Sequence, residues 1–248
     1  MYYFKQSLTA ITLGLILSSA VNAHDKHAGH IQSPANENIA PSFDIIHAKV
    51  TTKNGFLEFQ QLVSGEAGSA QPMTVGALGG AEVYSYVWPT SLNSAAVGFE
   101  ADQGILALVL TVHPDFDDTP LYDENNDGVL TNDGDLWHSH WVVLTKDDAC
   151  GSGSLKVKDI PENTQPKLPK TWPKLPIFID SPGYDFTLHQ NQVTIKVPLS
   201  AIADNADFQF DAVTAALKVN QQIHAPLLCV TNVFDIASGD LSLPGKKL

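Results

Sequence analysis

Two histidines one residue apart, His138 and His140, lie in the stretch "LWHSHWVVL", each beside a tryptophan. In an extended strand alternate residues share a face, so both imidazoles point one way while Trp137 and Trp141 point the other. Neutral imidazole is a borderline ligand suited to zinc and copper, and two on one strand make half of such a site. A third ligand must arrive by folding. His113 closes "ILALVLTV", His47 and His224 sit in or beside other apolar stretches, and the sequence does not choose among the three. Leu136, Val142 and Leu144 share the face of the pair, so the competing expectation is two core histidines held by hydrogen bonds. His189, alone in "FTLHQNQ", reads as a surface residue.

Between His113 and His138 the chain is strongly acidic. "DENNDGVLTNDGD" sets Asp123, Asn125 and Asp127 at alternate positions and follows them with Gly128. Calcium takes about six to eight hard oxygens, and short oxygen-bearing side chains at such spacing converge on one point when the chain turns sharply at glycine. The stretch resembles the start of an EF-hand-type calcium loop. That resemblance implies Asp123, Asn125, Asp127, the backbone carbonyl of Val129, and Thr131 as ligands. Gly134 stands where the bidentate glutamate belongs, so closure falls to Asp133 or Asp135 in a looser loop. The flanking segments read as strands, which implies a calcium loop set in a β domain. A solvated turn rich in Asn and Asp is the alternative.

The elements that must position these residues are strands. "GFLEFQQL" alternates Leu57 and Phe59 with Glu58 and Gln60, and "QVTIKVPL" alternates Val193, Ile195 and Val197 with Thr194 and Lys196, as half-exposed antiparallel strands do. "ILALVLTV" is apolar on both faces, as a buried central strand would be. "EVYSYVW", "LWHSHWVVL", "VTAALKV" and "PLLCVTNVFDI" add to the set, and no persuasive amphipathic helix is visible. Short strands separated by Gly, Pro, Asn and Asp predict an all-β fold, an antiparallel β-sandwich with long loops. A single domain is expected over residues 43–248. Residues 151–183 carry six prolines and five lysines, which reads as an extended crossover running over the surface. The other reading makes it a linker, with residues 184–248 as a second domain.

Residues 1–23 have the form of a signal peptide: one cation at Lys5, an apolar core, then Val21-Asn22-Ala23. Cleavage there leaves a periplasmic or secreted chain that starts at His24, with no membrane span remaining. Residues 24–42 read as a flexible arm opening on "HDKHAGH". Its free amine and the imidazole of His24 can chelate copper together, a single feature that resembles the histidine brace of copper monooxygenases. Without a rigid platform this suits an arm that weakly scavenges copper or zinc, or one with no binding role. The formal net charge is −13 and the chain has no arginine, which disfavours nucleic acid and anionic membranes and favours cations. Two cysteines in an oxidising compartment, Cys150 and Cys229, are expected to be bonded.

Taken together, "VYSYVWPTSL", "DGDLWHSHWVVL", "LPKTWPKLPIFIDSPG" and "HAPLLCVTNVFD" resemble a family of exported bacterial proteins to which no activity is assigned. The resemblance implies export and nothing about chemistry. No G-x-S-x-G, H-E-x-x-H or nucleophile with an evident base is present. The leading expectation is therefore an exported metal-binding protein, with structural calcium in the acidic loop and copper or zinc on the His-x-His strand. One alternative is a metal-dependent hydrolase or oxidase built on the same histidines. Another is a carbohydrate- or haem-binding module, with a small molecule or glycan stacked on Trp88, Trp137, Trp141 or Trp172.

Overall fold

A computed structural model describes residues 29–75, 79–114, 136–203, 207–222 and 225–248. In chain order the strands are β1 (Ile31–Gln32), β2 (Ile45–Lys53), β3 (Phe56–Val63), β4 (Glu82–Pro89), β5 (Ile105–Val112), β6 (His138–Lys146), β7 (Leu155–Val157), β8 (Ile179–Asp180), β9 (Phe186–His189), β10 (Gln192–Pro198), β11 (Gln209–Phe210), β12 (Val213–Val219), β13 (Leu228–Ile236) and β14 (Gly245–Lys246). Helix is confined to three single 3-10 turns among the described residues, so the chain is all-β, and every pairing is antiparallel.

The strands form a five-stranded sheet, ordered β1-β2-β3-β10-β9, a two-stranded β11-β14 pair, and a closed barrel to which β8 adds at β6. In the barrel β4 pairs with β5, β5 with β6, β6 with β7, β7 with β13, β13 with β12, and β12 again with β4. This corrects the expected sandwich, because one of the two layers is a barrel. The closing element is the three-residue strand β7, which lies inside the proline-rich segment expected to be a surface crossover. Its junction with β13 is a single register pair, Lys156 opposite Cys229. The disulfide between Cys150 and Cys229, with Cα atoms 5.4 Å apart, lies at that junction.

Strand alternation divides the barrel wall, and on β4 it also divides side chains by size. On β4 the residues Tyr84, Tyr86 and Trp88 point outward, while Val83, Ser85 and Val87 point inward. On β6, Trp141 and Val143 point outward, while His140, Val142 and Leu144 point inward. The outward set packs against Ile45, Val50, Leu57, Phe59, Val193 and Ile195 of the five-stranded sheet to form the main core. Phe59 meets Trp88 and Trp141 edge-on, each at 6.1 Å between ring centroids. Gln61 ties the layers by donating its amide to Val87 O at 2.9 Å. Tyr86 bridges them too: its hydroxyl donates to Ser42 O and accepts from Gly68 N, both at 2.8 Å.

The expected flexible arm does not extend over residues 29–42. Ile31 is buried and pairs with Ala48, and Gly29 O accepts from Lys246 N at 2.9 Å, so residues 29–42 belong to the folded body. Residues 1–23, expected to be a signal peptide, His24, His224 and the whole expected calcium stretch from Asp123 to Asp135 lie outside the described residues. The crossover does traverse the surface in part, yet Ile177, Phe178 and Ile179 turn inward and are buried. Among the described residues no helix is long and apolar enough to cross a membrane.

Candidate metal centre

Strand alternation places His138 and His140 on the barrel's inner face, opposite Thr111 and Val109 of β5. His113 follows the last residue of β5 and reaches the same end. Folding thus supplies the third imidazole. His113 Nε2 lies 3.1 Å from His138 Nε2, and the rings of His138 and His140 meet edge to face with centroids 4.7 Å apart. All three are buried. Trp137 and Trp141 point the other way, as the alternation predicts, where their indole N–H groups donate to Gly68 O and to the Tyr184 hydroxyl at 3.2 Å each.

The outer nitrogens fix the chemistry of two rings. His113 Nδ1 is 2.8 Å from Pro114 O, and His138 Nδ1 is 2.7 Å from Leu136 O. A carbonyl oxygen only accepts, so each Nδ1 carries the hydrogen and each neutral ring presents a lone pair at Nε2. The two Nε2 lone pairs then face each other at 3.1 Å, an arrangement that needs a shared proton or a metal ion. Two nitrogens bound at about 2.0–2.1 Å around a tetrahedral ion are separated by roughly 3.3 Å, close to this spacing. A carbonyl behind each ligand nitrogen is also the usual support that orients a metal-binding imidazole. As they stand the three rings are not a closed ligand shell, and no group of three or more His, Cys, Asp or Glu is so arranged among the described residues.

His140 differs from its neighbours. Its Nδ1 lies 3.1 Å from Ser181 Oγ, a hydroxyl that can donate or accept, so this ring can adopt either tautomer. Ser181 follows Asp180 on β8, which pairs with β6 beside Trp141. Burial pushes the Asp180 carboxyl up to about 6, opposed by hydrogen bonds from the Thr171 hydroxyl and the Ser181 amide. Neither Ser181 nor Asp180 is recognisable from sequence, because "IDSPG" reads as the end of a proline-rich connection.

The other histidines lie elsewhere. His47 is on β2 in the five-stranded sheet, with its Nε2 3.3 Å from His30 Nδ1. Burial lowers the pKa of both, and nearby positive charge lowers it further: Lys49 for His30, and His30 with Lys49 for His47. His189 is exposed, as expected. Trp88, Trp137 and Trp141 are buried and offer no open ring face for a sugar.

No family model, curated protein or solved structure matches the chain.

Proposed function

We propose that this is an exported metal-binding protein whose transition-metal site, for zinc or copper, is formed by His113, His138 and His140 at one end of the barrel. The observation that carries this reading is the pair of Nε2 atoms 3.1 Å apart, each on a ring whose Nδ1 faces a backbone carbonyl. Rigid strands supply two of the ligands, so the site needs little ordering on binding. The chain leaves this end at Pro114 and returns at Leu136, so the acidic stretch proposed to hold structural calcium is joined to the site at both ends. Calcium prefers oxygen and the imidazoles prefer zinc or copper, so the two ions do not compete.

The test is a titration with zinc and with copper(II), using protein that lacks residues 24–28 so that His24 and His27 contribute nothing. The expected result is stoichiometric binding that His138→Ala/His140→Ala abolishes and His113→Ala weakens by about tenfold or more. Protons compete for the same lone pairs, so affinity falls as pH falls. Equal binding by the wild type and the double variant would make the trio a hydrogen-bonded core cluster instead. A hydrolase built on these histidines needs an open coordination position, and substrate turnover by zinc-loaded protein would favour that second reading.

A further inference from the structure

The inside of the barrel holds a cavity of about 240 Å³. A barrel of few strands has an interior that side chains ordinarily fill. Here the tyrosines and tryptophans of β4 and β6 face outward, and several of the inward positions are small: Val83, Ser85, Val87, Val109, Ala215 and Val219. Protein interiors rarely leave space on this scale, and an apolar cavity of about 150 Å³ is enough to bind benzene. The lumen therefore has room for roughly one ring with a short substituent.

Access and polarity are asymmetric along the lumen. At the end away from the histidines, the lining residues Ile105, Val233 and Leu241 are 40%, 46% and 38% exposed, which makes an apolar doorway. Leu241 and Leu243 both line the lumen there and both have left-handed backbone, at φ 59° and 52°. Leucine avoids that conformation, and such strain persists where the surroundings enforce it. Among the lining hydroxyls, Ser85 Oγ donates to Ala215 O at 3.0 Å, Thr90 Oγ1, at the doorway end, donates to Leu106 O at 2.8 Å, and Thr111 Oγ1 lies 3.5 Å from His138 O. His113 and His140 line the lumen at the opposite end, and His140 is the one whose Nδ1 faces a hydroxyl, Ser181 Oγ, where His113 faces a carbonyl, so the tautomer of His140 can change.

We infer that the lumen binds a small, neutral, mainly hydrocarbon molecule, about one ring in size, whose single oxygen head lies against His140. The inference goes beyond the metal reading and does not depend on it, since the cavity and its doorway exist whatever the imidazoles hold. Two probes of equal bulk test it, ethylbenzene and acetophenone, each titrated into metal-free and zinc-loaded protein and followed by the methyl NMR signals of Val109, Val142 and Leu217. Saturable shifts at these methyls are expected with both probes in metal-free protein, with acetophenone bound about fivefold tighter. Val109→Phe and Ala215→Leu fill the lumen from different strands. Whichever retains the wild-type circular dichroism should lose about tenfold or more in affinity for both probes. His140→Leu should keep ethylbenzene and lose the preference for acetophenone. Absence of lumen shifts in metal-free protein, or shifts that survive in a folded lumen-filling variant, overturns the site. Equal affinity for the two probes overturns the role of His140. Failure of zinc binding alone leaves the lumen result standing, so the two proposals fail separately.

Discussion

His113 shows how far a single residue could be interpreted before folding. Its position at the end of an apolar strand made it a candidate third imidazole beside His47 and His224. Nothing local distinguished them, because partners separated by a long loop meet through tertiary pairing. The β5–β6 ladder makes the choice by setting Thr111 opposite His138, which brings His113 to the same end. Asp180 was not legible at all, since its perturbation comes from burial on a two-residue strand. It carries a prediction. Its folded-state pKa, about 6, lies above the ordinary 3.8, so the native state favours the protonated form. The cost of ionising it is absent below the unfolded value and fully present above pH 6. Asp180→Asn should therefore stabilise the protein at pH 7 by about 1–2 kcal/mol, and the gain should vanish as pH falls towards 4. Urea unfolding of both proteins at the two pH values measures this. An advantage that persisted at the lower pH would assign it to packing.

At the scale of elements, β5 and β12 were legible end to end: β5 is a mainly apolar run that begins after Gly104, and β12 is a mostly apolar stretch between Asp211 and Asn220. What such runs conceal is which face is which. "EVYSYVW" did contain the answer: aromatic residues fall on one parity and Val, Ser and Val on the other, a division by size that marks a lumen side. Barrel closure was not legible, since β7 is three residues within a segment whose prolines argue against pairing. Gly104, just before β5, shows how closely the strands approach. Its φ is +146°, and a Cβ there would lie 2.5 Å from Leu144 O on β6. Gly104→Ala should cost about 1–3 kcal/mol by forcing this end of the β5–β6 ladder apart. Zinc affinity should stay unchanged, because the histidines lie at the other end of the same ladder. Thermal melts paired with metal titration check both halves.

Over the whole molecule, the barrel and the sheet share one core, but the ring of strands closes unequally. β12 and β13 pair along seven register positions, whereas β7 meets β13 at one. The disulfide at that junction spans 79 residues of sequence. Cys150→Ser/Cys229→Ser should lose about 2–5 kcal/mol in denaturant unfolding. An unchanged midpoint would show that the ladder alone suffices. Reduction has a further consequence besides lower stability. A closed barrel has no free strand edges, and one parted at β7 has two, with the hydrogen-bonding groups of β13 and β7 exposed to other chains. The reduced protein should therefore fail by strand-to-strand self-association, at a rate that rises with its concentration, while the oxidised protein stays monodisperse. For this fold the cysteine pair acts as a safeguard against aggregation.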